Sequence, residues 1–456
     1  MSNTKKKFKL LLVNPLSTIR KGASQDQKSI FPPMSLGIIA ALTPKHWDVE
    51  ILDENFEQFE YKEADLVGIT ALTSQVTRAY EIAQVYNKNN IPTVMGGIHV
   101  SMMQEEAIKF ANSVVVGEAE SVWKNVIDDF ENKKLKQIYK GKLESIVNSP
   151  QPRIDLYNHG YAFGSIQTTR GCPMRCDFCS VHIFNGSRYR TRNVKDVVDE
   201  FEKIPQDNVC IVDDNFIGYS KKSADRVVEI CKEIIKRGIK KDWFCSASMN
   251  IAENDEVLKY ASMAGCRMVL LGIESDLIDQ LESTNKKLNA KLGIDNFSKV
   301  YSKLHSYGIA VLGAFIFGLD SDTPETIHNR TKYILDSSID TMQTTILTPL
   351  PGTPLFERMQ RDNRLIYNNF PKDWAHYDFF EVVFEPKLMS AKELTESIKS
   401  AWETLYNKKQ LKKNFIATLK STKNANSAIW SYNSNLQYHN MVFEHRKDRA
   451  IQDIHL

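Results

Sequence analysis

Three cysteines fall within one short run, GCPMRCDFCS at 171–180: Cys172, Cys176 and Cys179, spaced C-x3-C-x2-C. Thiolates this close together are ligands in waiting, because the ionised sulfur is the form that binds metal. Four arrangements are open. A structural zinc site wants four ligands, usually from two C-x2-C pairs; here Cys176 and Cys179 form one pair, and His182 would have to complete the set. A disulfide leaves one thiol over and is disfavoured in a reducing compartment. Coincidence, with no shared role, is the third. A [4Fe-4S] cube takes four thiolates as a rule, so three leave one iron without a protein ligand and open to a small molecule.

The rest of the composition sets the background. Hydrophobic residues make up 42% and charged residues 25% of 456, the balance of an ordinary globular chain with room for two to four domains. Seven cysteines is an odd count and not a secreted disulfide framework. Cys210, Cys231, Cys245 and Cys266 are scattered and read as small buried hydrophobes. No apolar run reaches the roughly 18 residues of a membrane helix. The apolar start, FKLLLVNP, is too short for a signal peptide and reads as a strand, so a cytoplasmic protein is expected. The net charge of +3 is uneven: residues 407–456 hold nine Lys/Arg against three Asp/Glu, leaving the body slightly acidic. That argues against a nucleic-acid-binding body. The basic tail is either a solvated helix with a loose end or a patch that meets a membrane face.

The elements around the cysteines must hold them in place. Residues 1–131 alternate β-rich runs with helical patterns, which implies βαβ units and a doubly wound, Rossmann-like parallel sheet. Such sheets bind ligands beyond the carboxyl ends of their strands. The turns there carry Asn14-Pro15, Asp53 to Asn55, Thr70 to Ser74, Gly96-Gly97 and Gly117-Glu118. Residues 132–163 lose periodicity and read as a linker. Residues 164–356 hold a second series of six strand–helix units, too few for a closed eight-fold barrel, so a partial (β/α)6 barrel is expected. The cysteines follow its first strand, at the end where catalytic groups gather. Residues 357–456 read as a small α+β extension and the basic tail, with Ser390 and Glu393 as a capping box.

The cysteine run resembles the signature of the radical S-adenosylmethionine (SAM) enzymes, C-x3-C-x-aromatic-C, with Phe178 as the aromatic. The likeness continues in order along 164–356: VDDNF with Asp213, Asp214 and Asn215; GIES with Gly272 and Glu274; GAFIFG with Gly313 and Gly318; and LTPLPGTPL with Thr348. The resemblance implies that the three cysteines hold a [4Fe-4S] cluster, and that the other residues neighbour SAM bound to its free iron. It further implies reductive cleavage of SAM to a 5′-deoxyadenosyl radical that takes hydrogen from an unactivated C–H bond. An electron donor such as a flavodoxin or ferredoxin is implied as partner.

The first domain is similar to the cobalamin-binding domain found ahead of many radical SAM barrels. Thr70, Ser74, Gly96, Gly97, Gly117 and Glu118 then mark the cobalamin side of its sheet. The histidine motif of cobalt-ligating domains, Asp-x-His-x-x-Gly, is missing: the place reads Asp53-Glu54-Asn55-Phe56-Glu57-Gln58. The corrin is therefore held by backbone and small polar groups, or the fold is empty of it. His99 opens a helix after Gly-Gly and reads as a cap or core partner. Residues 349–406 resemble the extension of a subset that includes hopanoid and tetrapyrrole enzymes. Three functions follow: cobalamin-dependent C-methylation of a large or lipid-like small molecule; radical chemistry without cobalamin, such as cyclisation or C–C coupling; and a non-catalytic iron–sulfur sensor. A methylthiotransferase is disfavoured, since no cysteine precedes Cys172. In the extension, Trp374, Tyr377, Phe379 and Phe380 either line a substrate pocket or pack it onto the barrel.

Overall fold

A computed structural model describes residues 7–17 and 31–443. Its first sheet contains β1 (Phe8–Asn14), β2 (Trp47–Asp53), β3 (Leu66–Thr70), β4 (Thr93–Gly96), β5 (Ser113–Val116) and β6 (Ile138–Lys140). The order is β2-β1-β3-β4-β5-β6 and every pairing is parallel. The strands are near-continuous apolar runs because helices cover both faces; Leu10, Leu11, Leu12 and Val13 are all buried. The order in which strands are added reverses between β1 and β3, which opens a crevice at the carboxyl ends. Residues 132–163, expected as a linker, supply β6. Its three residues carry no pattern of their own; the open edge of β5 recruits them by backbone pairing.

The second sheet begins with β7 (Gly164–Ile166). A short antiparallel ladder, β8 (Thr169–Arg170) with β9 (Arg190–Thr191), follows. The sheet continues with β10 (Asn208–Ile211), β11 (Asp242–Ala247), β12 (Cys266–Glu274), β13 (Ala310–Phe317) and β14 (Thr341–Ile346). The order β14-β13-β12-β11-β10-β7 is consecutive and parallel, a barrel left open between its first and last strands. Cys210, Cys231, Cys245 and Cys266 are buried in it.

The extension is mainly helical. Among the described residues its extended part is one antiparallel bridge, Leu365 with Phe384. The helix Ala391–Leu405 starts at the Ser390–Glu393 capping box and buries Leu394, Ile398, Ala401, Trp402 and Leu405, the 3.6-residue stripe of a core-facing helix. The helix Ala425–Phe443 lies across β12, β13 and β14. Trp430 stacks edge-on against Phe163 and Phe244. Asn435 accepts from the Met342 amide (3.1 Å) and donates to the Asp340 carbonyl (2.7 Å). This part of the basic tail is thus built into the barrel; residues 444–456 lie outside the described residues.

The carboxyl ends of the two sheets face one another. Gly352, after β14, sits so close to Met102 that an added Cβ would lie 2.6 Å from its sulfur. Thr77 donates to the Pro371 carbonyl at 3.0 Å. Arg190 forms a buried bidentate pair with Glu118 across the same interface, and Arg170 pairs with Glu120.

Candidate active site

The cysteines occupy the loop between β8 and β9, so that ladder closes the base of the loop. Cys176 is buried, and Cys172 and Cys179 are half-buried. The loop is fastened by its own backbone and by distant elements. Cys172 N–H donates to the Gly186 carbonyl (3.1 Å), Asp177 N–H to that of Thr284 (3.3 Å), and Leu355 N–H to that of Asp177 (3.1 Å). Arg358 reaches the Asp177 carboxylate at 2.8 Å.

The VDDNF residues brace this loop. Asp213 is fully buried and accepts from Thr168 N (2.5 Å), Thr168 Oγ1 (2.5 Å) and Thr169 N (2.9 Å), just before the cysteines. Asp214 accepts from Gly171 N (3.1 Å) before them and Asn185 Nδ2 (3.0 Å) after them. Asn215 accepts from Ile217 and Gly218 amides and donates to Ser248. The carboxylates of Asp213 and Asp214, expected to neighbour a cofactor, thus hold the two ends of the cysteine loop, while Asn215 fastens its own turn to Ser248.

Burial pushes the Cys179 thiol up to about 12 and the Cys176 thiol upward as well. In so dry a place the thiols ionise in exchange for a cation, which couples their deprotonation to metal binding. Among the described residues, no three His, Cys, Asp or Glu side chains converge as ligands of a single ion. A cube presents separate irons to separate thiolates, and the three-cysteine loop suits it. Tyr219 OH lies 3.5 Å from Cys172 Sγ.

Beside the thiols stands a charge pair. Glu274 ends β12 at a register shift and has φ +67°, an uncommon conformation for a side-chain-bearing residue. Its carboxylate meets Lys286 Nζ at 2.6 Å. Gly272 makes room for the pair: a Cβ there would lie 2.5 Å from Glu274 Oε1 and 2.8 Å from Lys286 Nζ. Glu274 was expected at the site; Lys286 was not, since its run in the sequence carries no motif. Gly313 and Gly318, expected at the site as well, lie in close quarters. Gly313 lies against Ile273 and Ile339, and Gly318 (φ +93°) against Leu394 and Phe384. Thr348 donates to the Ile346 carbonyl and is buried. Phe178 packs, partly buried, on the core.

The first domain contains a cavity of about 290 Å³. Its floor is the sheet face, Leu12, Gly68, Val94 and Val115, roofed by the helix Met34–Leu42 and by Trp123. Its mouth carries Thr70, Gly96, Gly97, Gly117 and Glu118, as the sequence suggested, together with Gln167, Arg170, Phe184 and Asn185 from the cysteine side. Ser74 is not among the lining residues. The apolar floor and roof would hold an apolar planar appendage of a corrinoid, and Thr70, Gly96, Gly97 and Gly117 at the mouth would hold the remainder. Among the described residues, none that lines the cavity is a histidine. The Asp53 turn is closed by the chain itself: Asp53 accepts from Asn14 and Tyr161, and Glu54 pairs with buried Arg78. His99 is buried away from the cavity, edge-on to Trp374 and 3.4 Å from Glu106. Trp374 and Tyr377 are buried; Trp374 donates to Glu106, so it packs the extension onto the first domain. Phe379 is exposed at the end of β14, where its carbonyl accepts from Ile346.

Comparison with known proteins agrees with this anatomy. The radical SAM superfamily model matches residues 166–334, the B12 binding domain matches 25–127, and a domain of unknown function (DUF4070) matches 353–446. The bacteriochlorophyllide d C-12(1)-methyltransferase of Chlorobaculum tepidum is 31% identical over 409 residues, covering 86% of this chain and 86% of that protein. The hopanoid C-2 methylase of Rhodopseudomonas palustris is 29% identical over 358 residues, covering 75% and 67%. Among solved structures, the radical SAM methyltransferase TsrM from Kitasatospora setae, with cobalamin and a [4Fe-4S] cluster bound, superposes with a TM-score of 0.67 at 18% identity, covering 88% and 89%. The chain belongs to the radical SAM superfamily, in the group that carries a B12 binding domain ahead of the barrel. It is an enzyme of that class, whose cofactors are the iron–sulfur cluster, SAM and cobalamin.

Proposed function

We propose that this protein transfers a methyl group to an unactivated carbon of a large, mostly apolar small molecule, such as a tetrapyrrole or a polycyclic lipid. The observation that carries the reading is a shared wall: Arg170, Phe184 and Asn185 border the cavity of the first domain and belong to the strand and loop that carry the cysteines. Cys172, Cys176 and Cys179 would hold the cluster. Glu274 and Lys286 offer a carboxylate and an ammonium to the ammonium and carboxylate of the amino-acid end of SAM. Thr70, Gly96, Gly97 and Gly117 leave the backbone accessible for a corrinoid, and the apolar cavity takes its nucleotide base. When bound, the cluster and SAM supply one-electron bond cleavage, and cobalamin supplies methyl transfer. The protein's part is to hold these groups across one interface and keep water out. Reduction calls for a low-potential donor of the flavodoxin or ferredoxin kind, and a cytoplasmic setting suits such a donor. Among the described residues no helix is long and apolar enough to cross a membrane.

Anaerobic purification with reconstitution tests the reading. Corrin absorbance and transfer of label from methyl-labelled SAM are expected. No atom stands nearer than 3.9 Å to a Cβ added at Gly96, so Gly96→Leu places its side chain at the cavity mouth with little cost to the fold. It should lose corrin absorbance while SAM cleavage persists. Cleavage by the wild-type protein that never takes up corrin would mean radical chemistry without methylation.

A further inference from the structure

The helix Lys408–Thr422 has two faces. Leu411, Phe415, Thr418 and Thr422 recur at the helical period and turn inward, against the neighbouring helices. The opposite arc carries Lys409, Lys412, Lys413, Ile416, Leu419 and Lys420, all exposed. Ile416 is 52% exposed and Leu419 41%, and Ile416 lies at the centre of the arc with lysines on both sides. Burying these aliphatic groups within the chain would have been favourable, yet they face outward.

The charges are equally unexplained from within the molecule. No Asp or Glu occurs between Glu403 and Glu444. Among the described residues, none of these lysines forms an ion pair. Lys408, Lys409, Lys412 and Lys413 crowd the first turns of the helix, whose N-terminal dipole end disfavours cations. A local rule broken without an internal gain points to a gain outside the molecule.

We infer that this face is a docking surface for an anionic lipid bilayer. The lysines would meet headgroup phosphates, with their aliphatic stems laid along the surface, while Ile416 and Leu419 enter the acyl boundary. A membrane provides dense negative charge and hydrocarbon in one surface; an acidic protein provides the charge but gives the two aliphatic side chains no comparable medium. Docking would hold the enzyme where apolar molecules are concentrated, without a spanning helix. The inference rests on the helix alone and stands whether or not the substrate assigned above is right.

Vesicle co-sedimentation of the full chain tests it, using phosphatidylcholine with and without phosphatidylglycerol. Binding to the anionic vesicles only, with release at high salt, is expected. Lys412→Glu with Lys413→Glu should weaken partitioning roughly tenfold or more. Ile416→Ser with Leu419→Ser should weaken it several-fold at unchanged charge. Circular dichroism and SAM cleavage of both variants should match wild type, since neither pair touches the core or the cysteine loop. No binding to anionic vesicles would overturn the inference, as would binding indifferent to both variants. So would binding lost with the lysines but untouched by Ile416→Ser/Leu419→Ser, which would describe a face suited equally to an acidic protein.

Discussion

Cys176 lies in a loop braced by Asp213, Asp214 and Asn185, so its thiol is not what keeps the loop in place. Cys176→Ala should therefore leave a folded protein, destabilised by no more than about 1 kcal/mol, with no SAM cleavage and an incomplete iron complement by elemental analysis. Lys286 makes a different prediction. Lys286→Met strips Glu274 of its partner and removes a cation beside the thiols. SAM affinity, followed as the change it produces in the reduced cluster's EPR signal, should fall roughly tenfold or more, the scale of a lost charged hydrogen bond; an unchanged affinity would remove Lys286 from the site. His99 gives a pH signature. Burial holds its imidazole below the ordinary range, and the His99 contact helps hold Glu106 below its own. The unfolded chain thus takes up protons first as pH falls, and stability drops below about pH 6.5, the unperturbed histidine value. In His99→Gln the decline in Tm between pH 7 and 5 should be shallower than in wild type. The cysteines were legible in the sequence because their spacing is itself the chemistry. Lys286 was not, because it reaches the site only through the fold: twelve positions separate it from Glu274, and the bulge in β12 brings the two together.

At the scale of elements, strands whose own apolar runs specify burial were plain in the sequence, and all six runs of the barrel series and five of the first sheet became strands. Elements specified by their neighbours were hidden. β6 exists because β5 offers an open edge. The role of the helix Met34–Leu42 as the cavity roof depends on its packing over the sheet. The sequence marks VDDNF, yet only the fold shows that its carboxylates face the cysteine loop and are consumed by it. The tail, read as a solvated helix with a loose end or a patch for a membrane face, divides in two among the described residues: the helix Ala425–Phe443 closes over the barrel, and the helix before it presents charge outward. Trp430 anchors that closure against Phe163 and Phe244. Trp430→Ala should cost about 3–5 kcal/mol, the usual range for a buried tryptophan, measured by urea denaturation. A loss near zero would mean that the helix is not part of the barrel's core.

Across the whole molecule, two sheets present their carboxyl ends to each other, joined by Arg190–Glu118, Arg170–Glu120 and the Gly352–Met102 contact. Function on this account is a property of the interface: one side brings the thiols and the Glu274–Lys286 pair, the other a mouth of glycines above an apolar cavity. Everything depends on an iron that the polypeptide leaves unligated and that SAM can reach. Mössbauer spectroscopy of anaerobically reconstituted protein, enriched in iron-57, tests this most directly. A four-iron cluster is expected in which one iron changes its parameters on addition of SAM while the other three do not. Four irons indifferent to SAM, or a site filled by zinc, would contradict it.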